Sequence, residues 1–180
     1  MQVGTNHFGH FLLTNLLLDI LKKSPHFRII NVSSQAHTFG PIDLDDLSFE
    51  KRPYDKFTAY NQSKIANILF TQALQRRFDA EKIDGKTVSL HPGCVRTELG
   101  RSFTGILGAI VKHGALLYYL LLKMPCKVHR QPYIAFLRIS MILEKGKYFS
   151  DCAVKDTSNK QITPETAEKL WNMSTKLVKL

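Results

Sequence analysis

Phe27-Arg28-Ile29-Ile30-Asn31-Val32 is a short β-branched run that follows Pro25, and Lys86 to His91 is a second such run, stopped by Pro92-Gly93. Between them, from about Ala59 to Phe78, Ile65, Leu69 and Ala73 fall along one face of a helix. Strand, helix, strand constrains this chain more than any other feature. Strands alternating with helices of this length make a parallel sheet with helices on both faces. The first run reads as a strand buried on both faces. The alternation extends outward in both directions. Phe8, Phe11, Leu12, Leu16 and Ile20 repeat at helical spacing from Phe8 to Leu21, with Lys22 and Lys23 at the favourable C-terminal end. Gln131 to Leu143 is helical, and Lys147 to Ser150 reads as a third strand. Thr163-Pro164-Glu165 supplies an N-cap, a first-turn proline and an acid for a last helix through Trp171 to Leu180. Gly40 to Thr58, with Pro41, Asp43, Asp45, Asp46 and Pro53, reads as a long loop. The class is α/β. About three strands is thin for a doubly wound sheet, where about five or six are usual, so part of a larger domain is expected to lie outside these residues.

Length and composition fit one soluble globular domain: 180 residues, 44% hydrophobic and 22% charged. Ten Gly and seven Pro exclude collagen-like and low-complexity classes. Cys94, Cys126 and Cys152 show no CxxC spacing, so neither a zinc site nor a disulfide framework is expected, and no metal site is assigned. The net charge of +10 raises nucleic acid or anionic lipid as partners, but the basic residues are scattered and no recognition motif accompanies them. Solvated helix faces explain them, and nucleic acid is not expected as a partner. The most membrane-like stretch, Ile106 to Leu122, is interrupted by Lys112 and His113, which suits a buried or interfacial helix better than a span.

Tyr60 and Lys64 are four apart on one helical face, so their side chains can converge. A phenol is a poor acid or base near neutrality, and a neighbouring ammonium stabilises its phenolate. The pattern is cheap by itself, since Tyr119 and Lys123 repeat it within an apolar helix. Context separates the two. Asn31-Val32-Ser33-Ser34 ends one strand and His91-Pro92-Gly93-Cys94-Val95-Arg96-Thr97 follows the next. In open α/β sheets ligands bind in the crevice beyond the carboxyl ends of the strands. A serine hydroxyl there can meet a substrate carbonyl oxygen as charge develops on it.

Taken together, these motifs resemble the short-chain dehydrogenase/reductase family, and within it the retinol dehydrogenase (retinal reductase) group. The likeness runs through Asn6-His7-Phe8-Gly9-His10-Phe11, the NVSS strand end with Ala36-His37, Tyr60 to Lys64 with Ala66-Asn67, His91 to Leu99, Lys147 to Cys152, and Leu170-Trp171-Asn172. It implies a Rossmann-type doubly wound sheet of which this chain, residues 1–180, is the C-terminal part. It also implies a catalytic tetrad. Asn6 would hold a water in the proton relay. Ser34, ahead of Ser33, would orient the substrate. Tyr60 would be the general acid/base. Lys64 would tune that tyrosine and bond the nicotinamide ribose. Pro92, Gly93, Val95 and Thr97 would pack against the nicotinamide end of the cofactor, NADP(H) in preference to NAD(H). The implied chemistry is hydride transfer between that cofactor and an alcohol or carbonyl carbon. The apolar Phe103 to Leu122 stretch would line or cover a pocket for a lipophilic, retinoid-like substrate, or simply pack the core.

The family's glycine-rich TGxxxGxG turn has no counterpart among the ten glycines. Met1 matches the middle of a family chain, so a fragment, a short isoform or a mis-started gene product is expected. The 180 residues alone are then expected to expose one edge of the first strand and to bind cofactor poorly. Pairing with a full-length relative as a non-catalytic product is the alternative expectation. The resemblance also implies homo-oligomers or a membrane surface as partners. It implies association with the endoplasmic reticulum membrane, or a cytoplasmic location if the chain truly begins at Met1.

Overall fold

The computed structural model describes residues 2–92, 144–151 and 153–180. A four-stranded sheet in the order β1 (Phe27–Val32), β2 (Gly85–Leu90), β3 (Tyr148–Ser150), β4 (Ala153–Lys155) forms the centre. β1 and β2 run parallel in register from Phe27 opposite Gly85 to Val32 opposite Leu90, and β2 and β3 are also parallel. The architecture is therefore the α/β layering expected from the strand–helix alternation. β4 was not anticipated. It is three residues long, antiparallel to β3 and exposed, and it follows Asp151, whose φ of 52° turns the chain back.

Among the described residues three α-helices accompany the sheet: α1 (Gly9–Leu21), α2 (Lys56–Ala80) and α3 (Pro164–Val178). A π-helical turn over Gly4–Phe8 leads into α1, and a 3-10 turn spans Gln35–Thr38. α2 starts three residues before the expected helix because the Asp55 carboxylate caps it, accepting the Thr58 N–H at 2.7 Å. Thr163 caps α3 in the same way at 3.2 Å, with Pro164 at the first turn. The expected helix at Gln131 to Leu143 lies outside the described residues.

The core has two parts. Phe11, Phe27, Phe70, Leu74 and Phe78 form an aromatic cluster joining α1, β1 and α2. Ile65, Ala66, Leu69 and Ala73 of α2 meet Ala167 and Leu170 of α3 in the other. Arg77 ties the helices at the rim, stacking over the Trp171 ring at 3.8 Å while its guanidinium meets Glu168 at 2.8 Å. Gly85 is required by close approach, since a Cβ there would lie 2.3 Å from the Phe27 ring, which is itself held edge-on by Phe78.

Two expectations of burial fail. β1 is not buried on both faces: Phe27 and Asn31 are covered, whereas Ile30 and Val32 remain 43% and 50% exposed. Ile30 and Val32 share the sheet face opposite α2, and the strand pairs only with β2 among the described residues. In α1, Phe11 is buried, but Leu16 and Ile20, expected on its inward face, are 63% and 62% exposed and line up with exposed Leu13 and Leu17.

Candidate active site

A polar ladder sets α2 against the carboxyl end of β1. Asn31 donates to Thr71 Oγ1 at 2.8 Å, and Thr71 passes its own proton to the Asn67 carbonyl at 2.8 Å. The Asn67 amide reaches the Val32 carbonyl at 3.0 Å, and the Lys64 ammonium reaches the same oxygen at 3.2 Å. Ser33, 2% exposed, donates to the Lys64 carbonyl at 2.8 Å. These bonds satisfy groups that would be costly to bury alone, and they fix the height of Lys64 along the strand.

Lys64 Nζ sits 5.4 Å from the centre of the Tyr60 ring. Burial lowers its pKa from the ordinary lysine value, because a partly desolvated ammonium is disfavoured. Val32 O is the hydrogen-bond acceptor it meets, which leaves donor capacity free on a group with three protons. Ser34 stands two residues past that oxygen, half-buried, in extended backbone as the N-cap of the 3-10 turn. Its Oγ accepts the Ala36 N–H at 3.2 Å, and among the described residues its hydroxyl proton is not committed to an acceptor. The two serines thus divide: Ser33 is taken up by the α2 backbone, and Ser34 is the one with a hydroxyl proton to offer.

Asn6 occupies the π-helical turn, a widened geometry that recurs at functional sites. Its amide donates to Ser63 Oγ at 3.1 Å, and Ser63 donates to the Tyr60 carbonyl at 2.7 Å. Asn6 is therefore coupled to the main chain of Tyr60 through Ser63, and no contact joins it to Lys64 or Ser34 among the described residues. Pro92 lies half-buried just past β2, where the His91 N–H bonds the Phe149 carbonyl at 2.8 Å. Gly93, Val95 and Thr97, and the Phe103 to Leu122 stretch, lie outside the described residues. A hollow of about 470 Å³ between Ile42, Asp43, Arg52 and Lys169 contains none of the expected site residues. No helix among the described residues is long and apolar enough to cross a membrane.

Residues 2–105 match the family model described as short chain dehydrogenase. The chain belongs to the short-chain dehydrogenase family. Human retinol dehydrogenase 13 is 46% identical over the whole of this chain and 54% of its own length. Human retinol dehydrogenase 14 is 42% identical over the whole chain and 52% of its own length. The chloroplastic short-chain dehydrogenase TIC 32 A of Brassica napus is 40% identical over 98% of the chain. A solved structure of an uncharacterized protein from Mycobacterium paratuberculosis superposes with a TM-score of 0.62 at 30% identity, covering 98% of this chain and 58% of that one. The chain spans about half the length of the curated relatives it matches.

Ser63 and Thr71 were not picked out from the sequence, and Asn31 and Asn67 entered only as parts of the motifs, with no role given to them. A signal was available: Tyr60, Lys64, Asn67 and Thr71 fall at i, i+4, i+7 and i+11, a polar stripe along one face of the helix.

Proposed function

We propose that this chain carries the catalytic and substrate-side half of an oxidoreductase that interconverts a lipophilic alcohol and its carbonyl, retinol and retinal being the type, with NADP(H) as cofactor. Such a cofactor, when bound, would supply the hydride chemistry at the substrate carbon. Lys64 suits the ribose side of such a group, because its ammonium has donor capacity left after the Val32 carbonyl. Ser34 offers its hydroxyl proton to the substrate oxygen and orients it. Tyr60 gives a proton to that oxygen on reduction and takes it back on oxidation, while the Lys64 ammonium beside the ring stabilises the phenolate. Asn6, through Ser63, steadies the turn of helix that presents Tyr60. The arrangement of Lys64 between the Tyr60 ring and the last carbonyl of β1 carries this reading.

Dinucleotide-dependent turnover of retinal by the chain, compared between NADPH and NADH, tests it. Tyr60→Phe is expected to lower kcat by about 10² to 10⁴ with the circular dichroism unchanged. No turnover by the unsubstituted chain with either dinucleotide sinks the reading.

A second reading, a non-catalytic product that pairs with a longer relative, is favoured by the exposed Leu13, Leu16, Leu17 and Ile20 of α1 and by the edge of β1 that has no strand partner among the described residues. Light scattering of the chain mixed with retinol dehydrogenase 13 distinguishes the two. A complex of summed mass together with no turnover supports the second.

A further inference from the structure

His37 follows the site serine by three residues and has no role in the chemistry above. Its side chain is 2% exposed. Ring Nδ1 lies 2.7 Å from the Ser34 carbonyl oxygen, and the His37 backbone N–H reaches the same oxygen at 3.2 Å. A carbonyl has no proton to give, so Nδ1 is the donor, and the neutral ring carries its hydrogen on Nδ1 and not on Nε2. Burial lowers the His37 pKa, partly opposed by the bond to Ser34, which keeps the ring neutral near neutral pH. The residue is held from two further sides, once at the ring and once at the main chain. Tyr148 of β3 meets it edge to face with centroids 4.6 Å apart, and the Asn159 amide bonds the His37 carbonyl at 2.9 Å.

Three bonds therefore hold residue 34: two from His37 on its carbonyl and one from Ala36 on its hydroxyl oxygen. We propose that His37, as the Nδ1–H tautomer, is a positioning residue that clamps the Ser34 main chain and so aims the Ser34 hydroxyl at the substrate oxygen. This rests on the reading of Ser34 as the substrate-orienting serine. The clamp joins the turn after β1, β3 and the segment before α3, so the direction of one hydroxyl is tied to the packing of three separate pieces of chain.

Two-bond proton–nitrogen NMR spectra of the chain read the tautomer directly. The Nδ1–H form is expected at neutral pH, and an Nε2–H form or an imidazolium overturns the proposal. Two variants then separate clamping from bulk. His37→Asn puts an amide donor where Nδ1 stood, whereas His37→Gln carries its amide one atom farther out. His37→Asn is expected to keep the Ser34 carbonyl carbon and Ala36 amide shifts, and His37→Gln to move both. In turnover, His37→Gln is expected to lose about tenfold in kcat with the dinucleotide KM unchanged, and His37→Asn to stay within about threefold of the unsubstituted chain, the sensitivity expected of a slightly misplaced group. Equal behaviour of the two variants overturns the clamp. Absence of turnover with an Nδ1–H ring and the split in shifts overturns the oxidoreductase reading and leaves the clamp standing.

Discussion

α1 and α2 both send phenylalanines into one aromatic cluster, where the Phe11 and Phe70 rings stand 5.2 Å apart, but the rest of their side chains fare oppositely. α1 is the more apolar helix, and Phe11 is its buried residue; Leu13, Leu16, Leu17 and Ile20 face solvent. α2 carries buried Asn61, Gln62, Ser63, Asn67, Thr71 and Gln75. Each of those six has a partner. Asn61 donates to the Phe39 carbonyl at 2.6 Å, Gln62 accepts the Asp43 N–H at 2.7 Å, and Gln75 accepts the Thr87 N–H at 2.7 Å. Ser63, Asn67 and Thr71 belong to the network around Tyr60 and Lys64. Burial in this protein follows what a side chain meets, and polar residues pass inside when backbone groups of β1, β2 or the 39–43 segment need them.

Phe70→Ala should have the largest effect, because it empties the point where α1, α2 and α3 meet: Phe70 is 2% exposed and touches Phe11, Trp171 and His7. A loss of about 3–5 kcal/mol is expected from chemical denaturation of the chain. A loss below about 1 kcal/mol, the range of an unremarkable site, would mean the cluster is not the shared core of the two helices.

His7 sharpens the comparison through pH. It lies at the entry to α1, fully buried, with Nε2 2.9 Å from Ser174 Oγ. Ser174 gives its own proton to the Leu170 carbonyl at 2.7 Å, so the imidazole donates through Nε2. Burial pushes the His7 pKa down to about 3 from 6.5, against a smaller opposing contribution from Asn67. Between those values the unfolded chain binds a proton that the folded chain refuses. Stability is therefore full above about pH 6.5 and falls as the pH drops toward 3, by up to about 1.4 kcal/mol per unit, or about 2 kcal/mol at pH 5. His37 and His91, also lowered by burial, add slope of the same sign. His7→Gln should flatten the acid limb of a stability–pH curve without abolishing it; an unchanged slope would contradict a neutral buried His7.

The same contrast shows what the sequence made legible. The parallel β1–β2 pair, the third strand and the Thr163-Pro164 start of α3 were all readable, because period, β-branching and caps are local signals. β4 was not, since its pairing depends on the left-handed turn at Asp151 and its three residues carry no burial pattern of their own. The exposure of Leu16 and Ile20 was missed because helical spacing shows that a stripe exists and not which side receives cover. At the candidate site, Tyr60, Lys64 and the serine pair were visible as residue types at meaningful spacings. The ladder from Asn31 through Thr71 and Asn67 to Val32 joins residues some forty positions apart, and only the packing of α2 on β1 brings them together.

Gln75 tests the polar half of the comparison. It stands in for a neighbouring strand: Oε1 takes the buried Thr87 N–H, while Nε2 reaches Asp79 at 3.1 Å and the Gly85 carbonyl at 3.4 Å. Gln75→Leu keeps the volume and removes all three bonds. It should cost about 1–3 kcal/mol, the penalty of leaving a buried amide unpaired, and should speed hydrogen exchange at Thr87 specifically. A neutral result with Thr87 still protected would show that the side chain fills space and nothing more.

Leu16→Lys should have the smallest effect and bears on the apolar half. Leucine and lysine have similar helix propensity, so the substitution changes the exposed face of α1 without disturbing its backbone. At 63% exposure Leu16 has little burial to lose, and stability of the monomer should stay within about 0.5 kcal/mol. Association should respond instead. If the Leu13–Ile20 stripe is where a longer relative docks, the lysine places a charge in the middle of that surface and the mixed complex should weaken or vanish in light scattering. A monomer destabilised by more than about 1 kcal/mol would mean that α1 is covered within this chain after all, and the contrast between the two helices would then lie in their chemistry and not in their burial.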